Sequence, residues 1–175
     1  MTMRIRPALA VVAAVLLLSA PVVRAVDDEK DEGDQSAVVK ALPQAKVSLS
    51  QGLLAAAHEG TPISAKFELE DGKLQLSVYT MKADKFSEVG VDPVSGKVVN
   101  VEAITEGDDL ADAKAQSDAM KKAKRSLAAA LAEALTANSG YQAVSVFPSL
   151  KDGHAVAEVA LARREEVKTV DEKLD

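Results

Sequence analysis

The chain has 175 residues, with 21 Lys and Arg against 27 Asp and Glu, and contains neither Cys nor Trp. Without cysteine, disulfides and zinc–thiolate sites are excluded, and a net charge of −6 is no electrostatic match for nucleic acid or anionic lipid. Two Tyr and three Phe leave the core to Val, Leu and Ala, so stability must come from packing alone.

The opening residues read as a secretory signal. Arg4 and Arg6 form a basic n-region, residues 8–18 an apolar h-region, and Val23-Arg24-Ala25 a small-residue cleavage site, with cleavage expected after Ala25. Losing Arg4, Arg6 and Arg24, and no acidic residue, would move the net charge from −6 to −9. No run reaches the ~20 apolar residues of a membrane span, and no cysteine stands at the cleavage site to carry a lipid anchor. The expectation is a periplasmic or secreted protein with no integral membrane span after cleavage.

Residues 26–44 carry Asp27, Asp28, Glu29, Asp31, Glu32 and Asp34 with little to bury, and are expected to form a flexible, solvated acidic arm. The alternative is a weak calcium-binding tail, although the spacing matches no ordered loop. Ser48 to Glu59 follows as a helix. Ser48 and Gln51 make a capping box, while Leu49, Leu53, Ala56 and Ala57 share one face. Gly60 and Pro62 end it. Gly52 weakens it by roughly 1 kcal/mol relative to Ala.

The stretch from Ile63 to Ile104 is the organising element. Ile63, Ala65, Phe67 and Leu69 alternate with polar residues, Asp71-Gly72 offers a primed hairpin turn, and Leu74, Leu76 and Val78 resume the alternation. A third strand, Phe86 to Asp92, turns through Pro93-Val94-Ser95-Gly96 into a fourth, Lys97 to Ile104. The pattern predicts an antiparallel meander with one face to cover. A longer helix is expected from about Leu110 to Ala137, with Met120, Ala123, Leu127, Ala130, Leu131, Ala134 and Leu135 as its buried stripe.

Then the pattern returns. A shift of 81 residues carries Leu69 onto Leu150, Asp71-Gly72 onto Asp152-Gly153, Leu76 onto Ala157 and Val78 onto Val159. Pro148 stands where Phe67 stood, which predicts an edge position or a bulge. The organisation expected is an arm at 26–44, a first unit at 45–106 and a truncated second unit at 107–175.

The run Val47-Ser48-Leu49-Ser50-Gln51, then Phe67-Glu68-Leu69-Glu70-Asp71-Gly72, then Val89-Gly90-Val91-Asp92-Pro93-Val94-Ser95-Gly96-Lys97-Val98 resembles a PepSY domain. Residues 127–175 resemble a degenerate second copy. The resemblance implies an α+β fold of two cystatin-like repeats, each one helix packed on a 3–4-stranded antiparallel sheet. It also implies an exported module that binds or inhibits a peptidase or peptide in the cell envelope, with no catalytic residues to carry over.

The residues themselves offer no catalytic constellation, metal-ligand spacing or phosphate loop, so no enzyme activity, cofactor or metal is expected. His58 and His154 stand apart and read as structural. Tyr79, Met81, Tyr141 and Phe147 fall at the phase opposite Leu76 and Val78, and are the candidate partner-binding surface or the packing between repeats. The alternative function is a structural or small-ligand-binding envelope protein with no peptidase partner.

Overall fold

The computed structural model describes residues 28–175; the expected signal segment lies outside them. Seven strands form one antiparallel sheet: β1 (Thr61–Glu70), β2 (Lys73–Lys82), β3 (Lys85–Val91), β4 (Val98–Ile104), β5 (Gln142–Lys151), β6 (His154–Arg163) and β7 (Glu166–Lys173). Their order is β4-β3-β2-β1-β5-β6-β7, so two meanders meet where β1 pairs with β5. Four helices accompany them among the described residues: α1 (Asp28–Ala41), α2 (Leu49–Ala56), α3 (Gly107–Lys122) and α4 (Leu127–Ala137). The α+β class and the antiparallel meander are as the alternation predicts.

The 81-residue shift survives in the hydrogen-bond register. Ser64 pairs with Tyr79 as Ser145 pairs with Ala160, and Leu76 pairs with Val91 as Ala157 pairs with Glu172. Ala65 pairs across the junction with Val146, its own counterpart under the shift. A local two-fold therefore passes through that pair. The helix starts correspond as well. Pro93 O accepts Lys46 N and Val47 N at 2.9 and 3.0 Å, and Leu174 O, 81 residues on, accepts Lys124 N and Arg125 N. Each clamp delivers the chain to a capping serine, Ser48 for α2 and Ser126 for α4. The capping box of Ser48 and Gln51 is formed.

The hairpin turns explain why the dipeptide repeats. Asp71 and Gly72 have φ of 48° and 73°, and Asp152 and Gly153 have 52° and 83°. Two successive positive φ values make the primed turn that matches strand twist. A β-branched residue resists that region, so Gly72→Val is expected to cost about 1–3 kcal/mol in a denaturant melt. An unchanged melt would contradict the strained turn.

α2 and α4 cover one face of the sheet. α2 lies over β1, β2 and β3, and α4 over β5, β6, β7 and the margin of β1. Leu53 and Leu131 on these helices and Phe67, Leu76, Val89, Val146, Val159 and Leu161 on the strands form one continuous core. α3 covers the other face, where Ile63, Tyr79, Phe86 and Ala113 make a smaller cluster.

Four expectations need correction. The long helix is two, because α3 ends at Lys122 and the chain crosses from one face to the other before Ser126 caps α4. Of its expected stripe, Leu127, Ala130, Leu131 and Ala134 are buried under α4, whereas Met120 and Ala123 belong to α3 and the crossing. The acidic arm is a helix over most of its length, and Val38, Val39 and Leu42 at its end are buried in the main core, apolar residues that the charge run overshadowed. Ile63 does not share a face with Ala65, since a bulge between Pro62 and Ser64 turns it towards α3. The matching bulge in β5 falls between Ala143 and Ser145, not at Pro148. Pro148 is tolerated in an interior strand because the β1–β5 ladder stops at Val146.

Candidate functional site

Three regions merit weighing as sites, and the four candidate surface residues divide between the first two. Tyr79 lies on the face opposite Leu76, but α3 covers it: it is 7% exposed, and its hydroxyl reaches Asp109 Oδ1 in the first turn of α3 at 3.3 Å. Met81 is partly buried beside it, accepting Ser117 Oγ at 3.1 Å. Ser64 donates to Gln116 Oε1 at 2.6 Å in the same buried seam. Tyr79 and Met81 therefore lie in an internal contact with α3, as in the packing alternative, and are not a free partner-binding surface. Phe147, at the same phase, is half-buried, with Glu158 as its cross-strand neighbour. Tyr141 is on the other face, next to Phe67 and Leu135. The four do not form one patch.

Past the reach of α3, this face is polar. Lys66 Nζ lies 2.7 Å from Glu68 and 5.9 Å from the Tyr79 ring centre, and Glu88 sits half-buried opposite Tyr79. Burial pushes the Tyr79 hydroxyl up strongly, with Glu88, Asp109 and Glu68 adding to the effect. Burial also pushes the Glu88 carboxyl up from its ordinary value; Ser77 and Lys66 oppose this, and Glu68 and Asp109 reinforce it. The folded protein thus binds the Glu88 proton more tightly than the unfolded chain does. The resulting penalty is full above the raised folded value and vanishes below the ordinary carboxylate range. Glu88→Gln is expected to raise the melting temperature at neutral pH, with the gain closing in acid. A gain independent of pH would contradict this.

The second region is a cleft of about 260 Å3 on the face of α2 and α4. It opens where the chain leaving α1 passes over Phe67, and is lined by Leu42, Val47, Leu49, Leu135 and Ala143, with Lys46, Ser48, Gln51, Gln142 and Tyr141 as its polar lining. Arg163 and Lys168 sit 4.4 and 4.2 Å from the Tyr141 ring centre, a cation–π arrangement. Glu166 accepts the Tyr141 hydroxyl and lies 3.0 Å from Arg163. Nothing in the sequence pointed to this cleft, since it draws on Leu42 from the presumed arm and on residues of both halves.

A third feature is the sheet's outer edge at β4. Val98, Val99 and Val101 are 37, 64 and 45% exposed, because α2 stops at β3. The opposite edge, β7, presents Glu166, Lys168, Asp171, Glu172 and Lys173 instead.

The remaining polar candidates are local. Asp92 accepts Val94 N, Ser95 N and Ser95 Oγ at 3.2, 2.6 and 2.6 Å, which holds its carboxyl down and fixes the β3–β4 turn. His154 meets Asp175 at 2.8 Å with its side chain 73% exposed, and is far along the chain from His58. Among the basic residues between Lys121 and Arg125, Lys121 pairs with Asp118, Lys122 caps Gly153 O and Arg125 meets Glu133. No group of three or more His, Cys, Asp or Glu among the described residues is arranged to hold a metal ion. No helix among them is long and apolar enough to cross a membrane.

No family model and no curated protein matches the chain. A solved structure from Clostridium difficile 630, described as a "putative lipoprotein", superposes with a TM-score of 0.38 at 8% identity, covering 70% of this chain and 81% of that one. A likeness that weak carries no inference about function.

Proposed function

We propose that the chain is an exported, non-catalytic interaction module of the cell envelope, built from two PepSY-like, cystatin-like units that share one sheet. Its role is to hold an extended peptide segment, of a peptidase or of a peptidase substrate, along the open edge of β4. The observation that carries this reading is the contrast between the two edges. Exposed edge strands invite pairing and are ordinarily guarded by charge. β7 is guarded in that way, while β4 exposes three valines beside a backbone with no outer neighbour among the described residues. Main-chain pairing with alternate apolar side chains is how an added strand is recognised.

The test is retention of envelope polypeptides by the immobilised mature chain, in parallel with a Val99→Pro, Val101→Lys variant and with a Thr169→Pro variant of the β7 edge. The reading expects a peptide or peptidase retained by the parent chain and the β7 variant but lost from the β4 variant. Equal retention by all three would sink it. The cleft beside Tyr141 favours a second reading, a ligand-binding envelope protein with no peptidase partner.

A further inference from the structure

We propose that the cleft beside Tyr141 binds a short apolar chain ending in a carboxylate, of the size of a medium-chain fatty acid. The proposal rests on the ligand-binding reading above and is independent of the β4 edge.

Size and lining set the apolar part. A volume of about 260 Å3 exceeds the ~150 Å3 that holds benzene in a dry cavity. It falls just below the ~300 Å3 at which pockets for drug-sized ligands begin. Leu42, Val47, Phe67 and Leu135 line it, so a flexible hydrocarbon chain gains burial there.

Charge sets the head group. Lys46 is the one charged residue in the lining, and Lys168 stands over the ring of Tyr141. Arg163, also over that ring, is engaged by Glu166, and Glu166 is further tied to the Tyr141 hydroxyl. Lys46 is in no ion pair among the described residues, and Lys168 is in no close one, its charge reaching Glu166 at longer range and helping to hold that carboxyl down. In a chain of net charge −6, a lysine in the lining and a second stacked on a lining tyrosine, neither in a close ion pair among the described residues, favour an anion over a neutral or cationic head.

The protein contains its own reporter. With no Trp, its emission comes from two tyrosines, and Tyr79 is buried beneath α3, away from the cleft. The full mature chain is titrated with sodium octanoate below its micelle concentration, with 1-octanol, octyltrimethylammonium and an acetylated peptide ending in leucine as parallel probes. Tyrosine emission and calorimetry are the readouts. Saturable binding of one octanoate is expected, about tenfold tighter than octanol and weakened about tenfold by Lys46→Glu with Lys168→Glu. If that pair lowers the melting temperature, Lys46→Gln with Lys168→Gln is used, with the same direction expected. Octanol bound as tightly as octanoate would overturn the anionic class while leaving a ligand site. The peptide bound more tightly than octanoate, or no effect of either lysine pair, would overturn the proposal. No saturable binding of any probe would remove the ligand-binding reading as well.

Discussion

Leu76→Ala is expected to lower the unfolding free energy by about 2–5 kcal/mol, as a fully buried side chain leaves a cavity between α2 and the sheet. Its partner in that contact is Gly52. A Cβ built on Gly52 would lie 2.2 Å from Leu76 Cδ2 and 2.9 Å from Cγ, so the helix sits as close as it does because residue 52 has no side chain. The sign of Gly52→Ala therefore depends on its neighbour. Alone, it gains up to ~1 kcal/mol of helix propensity but overpacks a closed site at a cost of about 1–3 kcal/mol, and destabilisation wins. In the Leu76→Ala background the obstructing atoms are gone, and the same change is expected to stabilise. A double-mutant cycle by denaturant melting reads this reversal directly. Additive effects would show that the helix–sheet contact is not set by this pair.

Leu174→Ala should be nearly as damaging, at about 2–5 kcal/mol, although it lies one residue from the last. Such positions ordinarily fray and tolerate change. Here the side chain is 0% exposed, its N–H donates to Ala155 O at 2.9 Å, and its carbonyl receives the two N–H groups that lead into α4. Neighbouring Lys173 is exposed, so Lys173→Ala should stay within about 0.5 kcal/mol. Equal, small effects at both positions would mean that this clamp is not a structural constraint.

The places where sequence reading and structure part have physical causes. Period-two alternation and the two Asp-Gly turns place β1, β2, β5 and β6, because one-sided burial and positive φ leave local marks. The pairing of β1 with β5 leaves none: both strands are locally like any other, and only the repeat of 81 hints at a dyad through Ala65 and Val146. Bulges are similarly silent. Ile63 reads as inward with Ala65 until the extra residue in β1 turns it to the other face. The break in the helix near Ala123 is hidden because Lys121 to Arg125 contains no Gly or Pro, and the stop comes instead from Leu174 O taking the Lys124 and Arg125 N–H groups. The fate of Tyr79 followed from that break, since only a separate α3 can cross the second face and cover it. The cleft needed Leu42, Tyr141 and Phe67 together, a meeting that no local pattern announces.

The central claim is that both meanders and their helices form one cooperative body around the Ala65–Val146 pair. Leu131 in α4 and Leu76 in β2 belong to opposite halves, are each 0% exposed, and share one core. Native-state hydrogen exchange of the intact chain with and without Leu131→Ala tests the claim most directly. Global opening predicts that the amides of Leu76 and Val78 lose the same protection free energy as those of Val159 and Leu161, about 2–5 kcal/mol. Loss confined to β5, β6 and β7, with β2 unchanged, would mean that the halves open separately, contradicting a single body.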